Sequence, residues 1–166
     1  MSIDINQFAV ITGAVGASGD GLALCIDEAD SERRVDYTHV VLWSLGRWEH
    51  LARLGWRAVG ACALDGEWLV LGAQGQVLQV RGADCREEAI GGSTQISGMT
   101  CVRSIAGTAC AVGMHRQVYL RDQSGQWAQS DDGVRRTSAA EGLVGFQAVA
   151  GFGADELHPH RLLLLG

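Results

Sequence analysis

The sequence contains no lysine, and its 13 arginines are its only basic residues apart from histidine. Mechanisms that need a lysine nucleophile or a lysine base are therefore excluded. Only one proline accompanies 23 glycines, so glycine must form most of the turns. A run of about 18 apolar residues, which a membrane-spanning helix requires, is absent. The first residues also lack the basic and then apolar pattern of an export signal. We therefore expect a cytoplasmic protein that does not associate with a membrane.

Positive charge is scarce as well. The net charge is −6 and the arginines are scattered, which argues against a nucleic-acid partner because such binding depends on clustered cations. The five cysteines are odd in number and form no Cys-x-x-Cys pair, so we expect reduced core thiols rather than disulfides or metal ligands. With 166 residues, 47% of them hydrophobic, the chain can form one domain with a sizeable core.

What the sequence does contain is an internal repeat. Residues 61–79 match residues 102–120 at a constant offset of 41, without a gap. The aligned pairs include Leu64 with Ile105, Gly66 with Gly107, Leu71 with Val112 and Val77 with Val118. Each copy consists of short β-type runs separated by glycine turns. The predicted strands are 57–63, 67–72, 76–80 and a weak strand near 87–90 in the first copy, and 100–105, 109–113, 117–121 and 126–129 in the second.

Two further sections belong to the same series. The N-terminal section predicts strands at about 7–12, 20–26, 38–43 and 47–51. Its Gly-x-Trp turn ending at Trp48 has a counterpart ending at Trp127. Another copy starts at Phe146, and we expect the leucine run 162–165 to take the position of its third strand. No residues remain in the sequence for a fourth strand of that copy.

A repeat of about 40 residues with this composition resembles the β-propeller superfamily, which includes WD-repeat proteins, Asp-box sialidase-like proteins and the photosystem-assembly-factor-like group. The segment 122–127 has the Asp, Gly and Trp of an Asp-box turn, with the glycine one place late and without the threonine, so no subfamily is selected. The resemblance implies an all-β, propeller-like fold in a single domain, residues 1–166, with about three four-stranded blades and an incomplete fourth. The blades lie at about 7–51, 57–90, 100–129 and 145–166. Because an unpaired last blade exposes apolar surface and strand edges, we expect closure by oligomerisation or by a partner.

The glycine-rich segment 13–21 offers a different interpretation. With the apolar run before it and 22–26 after it, the segment resembles the cofactor-binding start of short-chain dehydrogenases, which would imply NAD(P). Ala17 stands where that family has glycine, and its Tyr-x-x-x-Lys motif cannot exist in a chain without lysine. The simpler interpretation is two strands joined by a glycine loop.

The candidate ligand-binding residues are Arg116, Tyr119 and Arg121. Tyr119 and Arg121 share one face of a predicted strand, so a small anionic pocket of the kind that a sialidase-like hydrolase needs is conceivable. The alternative is that the arginines are solvated charges at the strand edge. His158 and His160 lack a neighbouring carboxylate or thiolate, so we predict no metal site. We identify no catalytic residue and expect no cofactor.

The hypothesis that the sequence favours is a non-enzymatic, protein-binding propeller scaffold whose partner is another protein, a second copy of the chain, or both. In a bacterium such a protein would suit toxin neutralisation, the role of immunity proteins, or the scaffolding of an assembly. A glycan-acting hydrolase is the enzymatic alternative, and an NAD(P)-binding protein of the short-chain dehydrogenase type is the second alternative.

Overall fold

The computed structural model describes residues 3–91, 96, 98–132, 145–151 and 163–165. Almost all of the regular structure in these ranges is β. Three 3-10 helices, Ile5–Gln7, Glu28–Asp30 and Met114–Arg116, are the helical turns in the described part of the chain. The strands are β1 Phe8–Val15, β2 Gly21–Asp27, β3 Thr38–Ser44, β4 Arg47–Leu54, β5 Ala58–Leu64, β6 Glu67–Gly72, β7 Gln76–Arg81, β8 Asp84–Ala89, β9 Met99–Ile105, β10 Thr108–Gly113, β11 Val118–Arg121, β12 Trp127–Gln129, β13 Ala148–Ala150 and β14 Leu163–Leu165.

The strands form three four-stranded antiparallel sheets, each built from consecutive strands. We call them blade 1 (β1–β4), blade 2 (β5–β8) and blade 3 (β9–β12). A fourth sheet contains β13 and β14. The predicted all-β, propeller-like fold is therefore confirmed.

The internal repeat is visible in the backbone. Strands β5 and β6 are shifted by the same 41 residues to give β9 and β10. The turn between each pair has two positive φ angles, 40° at Asp65 and 82° at Gly66, and 48° at Ala106 and 78° at Gly107. A two-residue type I′ hairpin turn, whose twist matches that of the strands, needs a positive φ at both of its central residues. Glycine takes the second of these positions without strain.

The blades pack on one another in chain order. The inner strands β1, β5, β9 and β13 contact in succession. An aliphatic cluster that includes Leu22, Leu24, Val70 and Leu78 fills the space between blades 1 and 2. A second cluster lies between blades 2 and 3, and a third lies between blade 3 and β13. Each sheet therefore buries a face against the next, as repeats that cannot bury their own core must do.

The dinucleotide-binding interpretation of the N-terminal glycines is wrong. Residues 16–20 join β1 to β2 as an antiparallel hairpin, closed by the Gly16 amide, which donates to the carbonyl of Asp20 at 2.8 Å. A dinucleotide fold needs a helix after this loop, with its N-terminus facing the pyrophosphate. Here a strand follows instead, and its residues 22–26 are all buried, because β2 lies between β1 and β3 in blade 1.

The position predicted for the leucine run is also wrong. We expected it in the third strand of the last copy, but β14 pairs directly with β13, with Ala148 opposite Leu165 and Ala150 opposite Leu163. The run therefore takes the position next to the inner strand. Residues 152–162 lie outside the described residues.

Blade 1 has a face that no other blade covers in the described structure. Ala23, Cys25 and Val41 lie on it, and Ile3, Ile5 and Phe8 pack on them together with Trp48. We call residues 3–8 the N-terminal cover. The Ile3 amide donates to the carbonyl of Trp48 at 3.3 Å and holds the cover to β4.

Among the described residues, no helix is both long enough and apolar enough to span a bilayer.

Candidate functional site

A polar cleft of about 530 Å³ opens between blades 2 and 3. It lies at the end of the blades where the tight hairpin turns are, since the β5–β6, β9–β10 and β11–β12 turns all contribute to its wall. We call this the hairpin end. Residues of six strands, β5–β8, β10 and β11, therefore meet there although they are far apart in sequence.

Arg121 forms part of the cleft wall. It is the last residue of β11 in blade 3, yet its guanidinium binds two carboxylates of blade 2. Nη1 donates to Glu67 Oε1 at 2.9 Å, while Nε and Nη2 donate to the two oxygens of Glu88 at 3.0 and 3.3 Å. The Arg121 side chain is 7% exposed and that of Glu67 is 5% exposed, so both charges are removed from water.

The remaining acceptor sites of the two carboxylates are also used. Glu67 Oε2 accepts from the side-chain amide of Gln79 at 2.6 Å and from Arg81 Nη2 at 3.0 Å. The indole N–H of Trp127 donates to Glu88 Oε1 at 3.1 Å. We call Glu67, Glu88, Arg121 and Trp127 the inter-blade ion cluster.

This arrangement determines what the ion cluster can do chemically. A general acid and base pair needs at least one carboxylate that is free to exchange a proton with substrate. Every oxygen of Glu67 and Glu88 already accepts a hydrogen bond from a side chain of the protein. A buried arginine between two carboxylates instead joins blade 2 to blade 3 in one register.

The β11–β12 turn forms another part of the cleft wall. Asp122 Oδ1 accepts from the Ser124 amide at 2.8 Å, the Ser124 hydroxyl at 2.7 Å and the Gln126 amide at 2.9 Å. These bonds, that of the Ser124 side chain first, lower the pKa of Asp122. The turn is therefore held by its own aspartate, as short aspartate-initiated turns commonly are.

Arg86 supplies a charge on the rim of the cleft. It is exposed on β8 and makes no ion pair with any other described residue. Asp65 and Asp122 lie on the same lining, in the turns of the two facing blades. A smaller cleft, about 210 Å³, opens at the same end between blades 1 and 2, beside Leu45, which is 91% exposed.

The three residues predicted to bind a ligand do not occupy one place. Arg121 lines the cleft through the ion cluster. Tyr119 lies on the same face of β11, as the alternation predicts, but it is 5% exposed and packs in the apolar cluster between blades 2 and 3. Arg116 lies in the 3-10 turn that precedes β11, at the opposite end of that strand from Arg121. A ligand role for any of them stays a prediction.

Sequence reasoning missed Glu67 and Glu88, which complete the site. Glu67 aligns with Thr108 in the other copy of the repeat, so a buried charge at this position is a departure from the repeat. Glu67 also shares a face of β6 with Leu69 and Leu71. A charged residue on this apolar face was the sequence signal that could have identified Glu67 as a site residue.

Metal binding receives no support from the described residues, in which no group of three His, Cys, Asp or Glu side chains is arranged to hold an ion. His158 and His160, which we judged a weak pair of ligands, lie outside the described residues. All five cysteines are free, and four of them are buried.

Comparison with known proteins identifies a curated relative and solved structures of similar fold. No protein-family model matches the chain. The chain is 34% identical over 165 residues to a protein of Pseudomonas aeruginosa (strain PAO1) described as "Immune protein Tsi7". The match covers 91% of this chain, and the chain spans about half of that relative's length (53%). The chain is also similar in fold, with a TM-score of 0.53 and 13% identity, to a structure titled "YCF48 bound to D1 peptide", over 74% of this chain and 41% of that one.

Proposed function

We propose that the chain is a non-enzymatic bacterial propeller that binds and neutralises a protein toxin. The observation that carries the proposal is its 34% identity, over 91% of its own length, to a protein described as an immune protein. Neutralisation of a toxin by an immunity protein requires a stable binding surface and no chemistry of its own. Engagement of both Glu67 and Glu88 by Arg121 is consistent with such a role.

The hairpin end is the surface that we propose for the partner. It combines the polar cleft, the exposed charge of Arg86 and the exposed side chain of Leu45. Protein interfaces commonly join apolar contact residues to a polar rim, and turns are held in place here by the rigid blades. Arg121 contributes as part of the cleft wall, and we keep Arg116 and Tyr119 as predicted ligand contacts.

The finer assignments are proposals too. Free cysteines, four of them buried, suit a reducing compartment, so we propose a cytoplasmic location.

The uncovered part of β1 exposes Val10 at 58% and Val15 at 77%, on the face of blade 1 that a further blade would cover. We propose that a second copy docks there, since the chain spans only about half (53%) of the immune protein's length. Size-exclusion chromatography with light scattering tests this, and a monomer at micromolar concentration would contradict it.

The function is tested by deleting the gene from its source bacterium and growing the deletion strain in contact with the parental strain. We expect the deletion strain to lose viability and to recover when the chain is supplied from a plasmid. Equal growth of both strains would overturn the proposal of toxin neutralisation.

The binding surface is tested separately by complementation with variants. The double variant Arg86→Glu/Leu45→Asp changes two exposed positions of the hairpin end, and aspartate tolerates the φ of 51° found at residue 45. The matched control is Arg57→Glu, an exposed arginine between β4 and β5 at the opposite end of the blades. Loss of rescue by the double variant alone supports the hairpin end, whereas full rescue by it would move the surface elsewhere and leave the function intact.

A further inference from the structure

Two histidines are in direct contact on the uncovered face of blade 1. His39 of β3 is 8% exposed, and its Nδ1 lies 2.9 Å from Nε2 of His50 in β4. The ring of Phe8, from the N-terminal cover, meets His39 edge-on at 5.0 Å and stacks over His50 at 6.5 Å. The histidine pair is therefore part of the surface on which the cover rests.

The groups around the pair are charged. Asp27, at the end of β2, has its Oδ1 3.4 Å from His39 Nε2, an electrostatic contact without the alignment of a hydrogen bond. The hydroxyl of Tyr37 lies 2.9 Å from Asp27 Oδ2 and 2.7 Å from Asp30 Oδ2. Arg53 of β4 lies over the Tyr37 ring at 4.4 Å. His39 thus faces one carboxylate directly, while Arg53 and His50 oppose a positive charge on it.

These neighbours determine which nitrogen carries the proton. Two nitrogens at 2.9 Å share one hydrogen, which one ring donates and the other accepts. Were His39 Nδ1 the donor, the lone pair of its Nε2 would face the Asp27 carboxylate. With His50 Nε2–H donating to His39 Nδ1, the His39 Nε2–H faces Asp27 instead. The second arrangement is favoured, because it sets an N–H, rather than a lone pair, against the negative carboxylate of Asp27.

The second arrangement accepts one further proton and not two. Protonation of His50 at its outer nitrogen leaves the bond to His39 Nδ1 intact. Protonation of His39 must occur at Nδ1, which would set two N–H groups and two positive rings against each other in a buried place. The closed face therefore excludes the doubly protonated pair.

We propose that the His39–His50 pair is an acid-sensitive latch that holds the N-terminal cover on blade 1 at neutral pH and releases it when both imidazoles are protonated. Release exposes Ala23, Cys25 and Val41. The device does not depend on toxin neutralisation, but it lies on the same face of blade 1 on which we propose that a second copy docks.

Burial supports the direction of the response. It lowers the pKa of His39, and burial followed by the positive amino terminus lowers the pKa of His50, in each case from 6.5. The released state, with both rings in water, keeps the ordinary pKa and binds more protons below pH 6.5. The cover is thus held in full above pH 6.5 and is lost as the pH falls through the lowered pKa values. The equilibrium for release rises about tenfold per pH unit for each extra proton.

Hydrogen–deuterium exchange of the intact chain at pH 7.5, 6.5 and 5.5 tests the latch, after correction for the intrinsic rate of exchange. We expect the protection of 3–8 to fall about tenfold between pH 6.5 and 5.5, with β6 and β10 unchanged. His50→Gln keeps a side-chain donor for His39 Nδ1, and its amide can turn to accept from a protonated His39, so the acid step should disappear. The matched control is His115→Asn, an exposed histidine in the turn before β11, which should retain the step.

Three results would overturn the proposal: no acid step in the wild-type chain, a full step in His50→Gln, or a step that includes β6 and β10. Should His50→Gln fail to fold, labelling of the wild-type thiols with a pyridyl disulfide, read by mass spectrometry, gives a second test. Cys25 should become reactive at acid pH while Cys62 and Cys110, buried among blades 2 and 3, stay protected. Unchanged protection of Cys25 would contradict the latch.

Discussion

The two interfaces of blade 2 are built in different ways. Toward blade 1 it presents Val70, Leu78 and Val80, which meet aliphatic side chains such as Leu22 and Leu24. Toward blade 3 it presents apolar residues as well, but at the hairpin end that interface closes over the inter-blade ion cluster. One sheet therefore combines a neutral contact on one face with a charged contact on the other.

The difference shows how stability and register are divided. Aliphatic contacts gain free energy in proportion to the area removed from water and are tolerant of small shifts. A buried arginine held by two carboxylates contributes little net free energy over an apolar replacement, but a shift of register would leave charges unpaired. We infer that the apolar contacts provide most of the stability at both interfaces, and that the ion cluster fixes how blade 3 sits on blade 2.

The largest loss of stability at the charged interface is expected for Arg121→Ala. Glu67 and Glu88 would remain largely buried with their main partner removed, and loss of one member of a buried ion pair typically costs about 3–5 kcal/mol. The free energy of unfolding, measured by urea denaturation at pH 7, should fall by that amount. Arg103→Ala, which removes an exposed arginine of β9, is the control and should change stability by less than about 0.5 kcal/mol.

Neutralising the carboxylates distinguishes a missing partner from a lost contact. In a Glu67→Gln/Glu88→Gln background, Arg121→Met should cost much less than the same substitution costs in the wild-type chain, because no carboxylate charge is left behind. Equal costs in the two backgrounds would show that lost contacts of the arginine, rather than unpaired charge, explain the effect.

At the neutral interface, the corresponding change is Leu24→Ala. Leu24 is fully buried, so the truncation removes apolar contacts and leaves a cavity, at a cost of about 2–5 kcal/mol. Urea denaturation at low and high salt separates this variant from Arg121→Ala, since an apolar cavity should cost the same at both salt concentrations. A marked salt dependence for Leu24→Ala would mean that the two interfaces are not distinct.

Much of this fold could be predicted because it is a local property of the chain. The offset of 41 residues identified β5 and β9, and likewise β6 and β10, as equivalent strands of the two copies. The turn at Gly66 and its counterpart at Gly107 were predicted because glycine readily adopts a positive φ. The shared face of Tyr119 and Arg121 followed from strand alternation. These features need only short-range information.

The parts that could not be predicted depend on contacts between blades or on chain direction. Nothing in the spacing of Glu67 and Glu88 reveals that one arginine of another blade binds both. All of the N-terminal cover except Phe8 precedes the first strand, so the repeat gives no position for it. The leucine run was assigned by numbering alone, and the shortened last copy made that numbering misleading. In each case the missing information was which segments meet in space.

The smallest change that still probes the charged interface is Trp127→Phe. Phenylalanine keeps most of the apolar contact of this residue, which is 8% exposed, but removes the indole N–H that donates to Glu88 Oε1 at 3.1 Å. A hydrogen bond to a charged group contributes about 1.5–3 kcal/mol, and we expect a loss near the lower figure because Arg121 still binds the same oxygen. In the Arg121→Ala background the two losses should not add, since the carboxylate has by then lost its main partner and can turn toward water. Simple additivity in urea denaturation would contradict a single coupled cluster and would reduce the charged interface to independent contacts, the arrangement that we assign to the neutral side of blade 2.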